Sequence, residues 1–208
     1  LRNRDVEYPF RPNSDFLYLT GFTEPDAVAV LIPDHPEHPY LLFVPPRDPD
    51  KEVWTGIRAG TEGAERDFGA DKAYPLEDLD TVMPELLADR ERLYVHFGRD
   101  KAFDEKVTRW LNATRARERQ GVRAPEVLVD VEDMLHEMRL IKGPEELDRM
   151  RQAARISAEA HARAQAVTRP GMFEYQVQAE MEYVFHYNGS ERAAYPSILC
   201  CSCSHRTV

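Results

Sequence analysis

The first half of the chain alternates short apolar runs with helical patterns. Residues 26–32 and 40–44 are rich in β-forming side chains, and the proline-punctuated PDHPEHP between them predicts a hairpin. Another buried strand is predicted at residues 93–97. The segment DKAFDEKVTRWLNATRARER then places apolar residues on one helical face, and a further helix is predicted at residues 76–92, where Pro84 limits its start. Interleaved strands and helices predict an α/β fold for this half.

The second half reads as two helices joined by a corner. Pro144 suits the first position of a helix, which is expected to run to about residue 167 and to stop at the following Arg-Pro-Gly. A second helix is predicted at residues 173–188. Together they predict a helical hairpin, and the change in character predicts a domain boundary near Arg139.

The composition of the chain argues against some classes of binding partner and indicates a cellular compartment. A hydrophobic content of 42% is enough for a core, and the net charge of -10 argues against nucleic acid and anionic membranes as partners. No apolar run approaches the roughly 18 residues of a membrane span, and the first residues lack a signal-peptide pattern. All three cysteines lie at 200, 201 and 203, so no disulfide framework is predicted for the body of the fold. The cytoplasm is the expected compartment.

The histidines do not form a recognisable metal motif. His35 and His38 lie in a proline-rich turn and are expected to be solvated, whereas His96 is interpreted as a core histidine. His136 lacks a second histidine four residues later, so the metalloprotease helix motif is absent. No metal ligand and no catalytic residue is assigned from these positions.

Trp54 lies among charged residues and glycine in EVWTGIRAG. Two interpretations are equally open from this context. The side chain is either a half-buried core tryptophan or a contact to substrate or to another subunit.

The cysteine-rich end, CCSCSHRTV, is the sharpest local signal for a metal. Adjacent cysteines cannot easily chelate one ion together, and structural zinc normally needs four ligands from two separated pairs. We therefore interpret residues from about 199 as a non-native terminus, with a zinc site as the less favoured alternative.

Several long segments resemble one enzyme family. The stretch DVEYPFRPNSDFLYLTGFTEPDAVAVLI resembles the N-terminal domain of Xaa-Pro aminopeptidases (aminopeptidase P), in the creatinase/prolidase group. The resemblance continues in EVWTGIRAG, in LHEMRL, where Leu135 replaces a valine, and in AHARAQAVTRPGMFEYQVQAEMEYVFHYNGSERAAYPSI. It covers about residues 2–198.

The resemblance implies a two-domain hydrolase. Residues 1–138 would form the N-terminal α/β domain, and residues 139–208 the incomplete start, a helical hairpin, of a "pita-bread" α+β catalytic domain. The family uses two divalent ions, usually Mn²⁺, to release the N-terminal residue from peptides with proline at position two, and it assembles as homodimers or homotetramers. A prolidase acting on dipeptides, or a non-catalytic assembly module, remains the alternative.

The family's five metal ligands lie downstream of AYPSI. The chain as given is therefore expected neither to bind the metal pair nor to be active. By resemblance, three residues are substrate or inter-subunit contacts: Trp54, Arg119 and Asp5. None of them is expected to be a catalyst.

Overall fold

The computed structural model describes residues 8–199 and divides the chain between His136 and Glu137 into two compact units. The strands of the first unit are β1 (Val28–Leu31), β2 (Tyr40–Val44), β3 (Lys72–Pro75), β4 (Arg92–Tyr94) and β5 (Val127–Val129). Its helices are α1 (Ser14–Thr20), α2 (Pro49–Thr55), α3 (Gly60–Phe68), α4 (Leu79–Leu86) and α5 (Lys101–Arg115), with 3-10 turns at Leu76–Asp78 and Glu118–Gln120. Helix α6 (Glu132–Leu140) runs across the division, and α7 (Pro144–Val167) and α8 (Glu174–Tyr187) belong to the second unit.

Two small sheets organise the first unit. In the larger one, β2 pairs antiparallel with β1 and parallel with β3, so that Phe43 lies opposite both Val28 and Tyr74. In the smaller one, β4 and β5 run parallel, and Val95 N–H extends the ladder by donating to Val129 C=O at 2.9 Å. The fold is mixed α/β, as predicted, and the hairpin between β1 and β2 is confirmed.

Strand β2 is buried on both faces. Phe43 belongs to a cluster formed with α4 and α5, which includes Leu79 and Trp110. Its neighbours Leu42 and Val44 point into a second cluster, which includes Phe22 and residues of α3. Because successive side chains of a strand alternate between faces, one apolar run supplies both cores.

Helices α4 and α5 are joined by two partly buried hydrogen bonds. The Trp110 indole Nε1–H donates to Asp80 Oδ1 at 2.6 Å, and the fully buried Thr114 hydroxyl lies 3.1 Å from Pro84 C=O. The predicted face of α5 is confirmed, since Val107, Trp110 and Leu111 are all buried. The expectation that Pro84 limits where the helix can start is wrong: α4 begins at Leu79 and contains the proline.

The second unit is the predicted helical hairpin. Pro144 occupies the first turn of α7, and Glu146 Oε2 accepts from Gly143 N–H at 2.8 Å. The corner between the helices contains Gly171 at φ +91°, a conformation that favours glycine. Arg163 Nε donates to Glu180 Oε2 at 2.8 Å, which links the two helices. Within residues 8–199, no helix combines the length and the apolar character that a membrane crossing requires.

Replacing Phe43 tests the role of β2. Phe43→Ala is expected to lower the free energy of unfolding of the first unit by about 3–5 kcal/mol, because it leaves a cavity in a fully packed cluster. Urea denaturation in a Trp54→Phe background would report this through the buried Trp110. Leu31→Ala, at a site 51% exposed in the adjacent strand, serves as the control. A loss at Phe43 no larger than that at Leu31 would contradict the packing described.

Candidate functional site

Helix α2 and the loop that follows it carry three exposed apolar side chains, here called the α2 patch: Val53, Trp54 and Ile57. Their exposed fractions are 79%, 89% and 80%. Trp54 is therefore not a half-buried core residue, and that interpretation is wrong. Exposed apolar side chains close together are typical of contact surfaces.

Local signals explain why α2 forms where it does. Asp48 caps the helix by accepting from Lys51 N–H at 3.4 Å, and Pro49 fits the first turn. Gly56 ends the helix at φ +77°, where other residues are strained. The helix is thus only two turns long, and the α2 patch lies at its C-terminal end.

An ion pair fixes the C-terminal end of α2. Arg47 Nε and Nη2 donate to the two carboxylate oxygens of Glu52, each at 2.7 Å. Arg58 N–H donates to Glu52 Oε1 at 3.2 Å. The Arg47 hydrogen bonds, followed by that from Arg58, lower the pKa of Glu52 to about 2. Glu52 therefore holds both the segment before α2 and the loop after it.

A hydrogen bond and a close backbone approach restrain the loop between α2 and α3. Glu24 Oε1 accepts from Ala59 N–H at 2.9 Å, across 35 positions of sequence. Gly60 has φ +57°, and a Cβ there would lie 2.7 Å from Cγ of Arg47. The α2 patch is therefore carried on a restrained segment rather than on a free loop.

The other predicted contact residues do not join the α2 patch. Arg119 lies exposed in the 3-10 turn Glu118–Gln120, and no hydrogen bond or ring contact links it to Trp54 among the residues described. Asp5 and the cysteine-rich end lie outside the described residues. The contact roles of all three residues remain predictions.

A second group of functional side chains lies at one edge of the smaller sheet. His96, Asp130 and Glu132, here called the carboxylate–histidine cluster, place one ligand atom each within 4.8 Å of one another. His96 Nδ1 is 3.2 Å from Asp130 Oδ1, and Nε2 is 3.8 Å from Asp15 Oδ2. The interpretation of His96 as a core histidine is wrong, because the ring is partly exposed and lies between two carboxylates.

Sequence reasoning missed this cluster because it missed β5. His96 follows β4 by two residues, and Asp130 follows β5 directly. The carboxyl ends of parallel strands meet at one edge of a sheet, so recognising both strands would have brought these residues together.

Known proteins identify the family. The profile for the aminopeptidase P N-terminal domain matches residues 1–96, and that for metallopeptidase family M24 matches residues 148–208. The Xaa-Pro aminopeptidase of Escherichia coli K12 is 39% identical over 199 residues, covering 95% of this chain and 45% of that protein. The chain belongs to the aminopeptidase P family.

Solved aminopeptidase P structures share the fold. PepP of Pseudomonas aeruginosa aligns with a TM-score of 0.90 at 47% sequence identity. The alignment covers 95% of this chain and 45% of the PepP chain. Proline aminopeptidase P II of Yersinia pestis aligns with 0.86 at 41% identity, covering 94% and 45%. The chain thus spans less than half the length of these relatives, and its fold is that of the N-terminal domain followed by the start of the M24 domain.

The M24 family is a metallopeptidase family and implies divalent ions. The part of the M24 match that the structure describes, residues 148–199, contains no group of three close metal-ligating side chains. The described residues of this match therefore do not fit a divalent-metal centre. The M24 match runs to residue 208, beyond residue 198, where the segments that carry the sequence resemblance end.

Glu52→Gln tests the restraint on the α2 patch. The folded-state pKa of about 2 lies below the ordinary 4.5, so the ion pair's contribution to stability is complete above about pH 4.5 and lost as pH falls toward 2. The difference in urea midpoint between wild type and Glu52→Gln should shrink through that window. The double variant with Arg47→Gln should lose little more than either single variant. A pH-independent difference would contradict the assignment.

Proposed function

We propose that the whole protein to which this chain belongs is a metal-dependent Xaa-Pro aminopeptidase that releases the first residue of peptides with proline at position two. Support comes from the continuous match to Xaa-Pro aminopeptidases, which covers 95% of the chain at 39% identity. In this proposal residues 1–138 form the N-terminal domain and residues 139–208 the beginning of the catalytic domain. The enzyme is cytoplasmic and uses Mn²⁺.

The proposed substrate explains why a dedicated enzyme is needed. Proline has no backbone N–H and a fixed φ, so the bond before it is a tertiary amide. A peptidase that positions its substrate through that N–H would bind such a peptide poorly. An Xaa-Pro aminopeptidase must instead recognise the ring and the free amino terminus.

We further propose that the α2 patch contacts a neighbouring subunit or the far end of a peptide. Trp54 and Ile57 are among the most exposed apolar side chains of the first unit, and the contacts of Glu52 and Glu24 restrain the backbone segment that carries them. A tryptophan on such a segment offers a large contact area with only two rotatable side-chain bonds, which favours a contact role. The whole protein is accordingly proposed to be a homodimer or homotetramer.

The 208-residue chain by itself is proposed to lack peptidase activity. It spans less than half of its relatives, and its described M24 residues offer no three-ligand group. Activity would then require the complete protein.

The test uses the complete gene product on peptides that begin Xaa-Pro. We expect release of the first residue from tripeptides and longer peptides, loss of activity with a chelator, and the best recovery with Mn²⁺. Cleavage restricted to Xaa-Pro dipeptides would overturn the proposal in favour of a prolidase. If no divalent ion supports cleavage, the remaining interpretation is that the protein is a non-catalytic assembly module.

Trp54→Ala in the complete protein tests the α2 patch. Removing a large aromatic anchor is expected to weaken subunit association by at least about tenfold, or to raise KM selectively for long peptides. Light scattering during gel filtration and kinetics on peptides of increasing length would measure the two effects. Leu31→Ala, another exposed apolar position of the first unit, is the matched control. Identical assembly and kinetics in both variants would exclude the contact role.

A further inference from the structure

We propose that the carboxylate–histidine cluster binds a divalent transition-metal ion of the zinc class. The cluster is formed where β4 and β5 end and α6 begins. His96 is the last residue of the first family match, and Asp130 and Glu132 lie in the stretch that neither match covers.

The donor set suits such an ion. Zinc takes imidazole nitrogen and carboxylate oxygen as ligands at about 2.0–2.2 Å, which places neighbouring tetrahedral ligands about 3.3–3.6 Å apart. The 3.2 Å between His96 Nδ1 and Asp130 Oδ1 is close to that spacing. The third donor, Glu132, already lies within 4.8 Å of both.

The surroundings of His96 supply a second, independent indication. Histidines that bind metals usually donate their other ring N–H to a carboxylate, which fixes the tautomer and the ring orientation. Here Nε2 lies 3.8 Å from Asp15 Oδ2, which is ion-pair distance and longer than a hydrogen bond, and the Asp15 side chain is only 14% exposed. With the proton on Nε2, the Nδ1 lone pair points toward the cluster. Asp15 is thus a positioning residue rather than a ligand.

The backbone also orients the carboxylates. Asp130 Oδ1 accepts from Glu132 N–H at 2.9 Å, which fixes Asp130 at the start of α6. Asp130 Oδ1, the oxygen that faces His96 Nδ1, has a second lone pair that this hydrogen bond does not use and that can bind a cation. His136 Nε2 lies 3.8 Å from Glu132 Oε1, one helical turn further along, and could complete the coordination.

Arg99 provides the sharpest distinction between a metal site and a simple ion-pair network. Its guanidinium Nη2 pairs with Glu132 Oε2. A cation entering the cluster must compete with this charge for the carboxylate. Removing the guanidinium charge should therefore tighten metal binding, whereas in a network without a metal it would only remove an ion pair.

The experiment is a calorimetric titration of Zn²⁺ into the 208-residue chain. Cys200, Cys201 and Cys203 are replaced by serine in every sample, because thiolates bind zinc on their own. We expect one ion per chain. His96→Ala and Glu132→Gln should each weaken binding by at least about 100-fold, and Asp15→Asn by about 10- to 100-fold. Arg99→Gln should strengthen it about tenfold. His161→Ala, an exposed histidine of α7, should bind as the parent does.

A thermal scan gives a second readout that does not depend on calorimetry. Zinc bound to the folded state should raise the unfolding temperature reported by Trp110 in the parent and more so in Arg99→Gln, but not in His96→Ala. Circular dichroism confirms that each variant is folded. Zinc binding that survives His96→Ala, no binding in the parent, or weaker binding in Arg99→Gln would each overturn the proposal.

Discussion

The two-sided burial of β2 is the constraint on which the first unit depends. Tyr40–Val44 is the central strand of the larger sheet, and its alternating side chains enter two different clusters. In this strand Leu42, Phe43 and Val44 alternate between the two faces, and all three side chains are fully buried. The strand must therefore be covered by α4 and α5 on one side and by α3 on the other. Once both faces are covered, the chain that leaves β2 has to continue at the surface.

That surface position gives the α2 patch its character. Arg47 follows the end of β2 by three residues, and its ion pair with Glu52 ties α2 to the segment that links the strand to the helix. Because both faces of β2 are already occupied, Trp54 has no core to enter. Its exposure follows from the packing of the strand before it, and this is why a contact role accounts for it better than a role in the core.

How far sequence reasoning reached depended on the length of each element. The helices α5, α7 and α8 and the β1–β2 hairpin carry long periodic patterns, caps and turns, so they could be predicted. Strands β3 and β5 have only four and three residues, which is too few to show alternation. In β3, Lys72 and Pro75 are also residue types that are uncommon in strands. Missing β5 hid the carboxylate–histidine cluster. The exposure of Trp54 could not be predicted either, because it depends on which neighbours occupy the faces of β2.

The family was recognisable from the sequence because its signatures are long. Its metal centre was not recognisable, and the described residues of the M24 match hold no group of three close metal-ligating side chains. The two units thus carry different kinds of information. The first supplies the α2 patch and a candidate ion site, and the second supplies the helical hairpin in which the M24 match begins. The peptidase activity is proposed for the complete protein and not for this chain alone.

The most direct test of the central claim is a pairwise comparison of two peptides that differ only at position two, one with proline and one with alanine. The complete protein, supplied with Mn²⁺, is incubated with both, and release of the first residue is followed by mass spectrometry. Efficient release is expected from the proline peptide, and little from its alanine counterpart. Equal release from both peptides, or release from the alanine peptide alone, would contradict it.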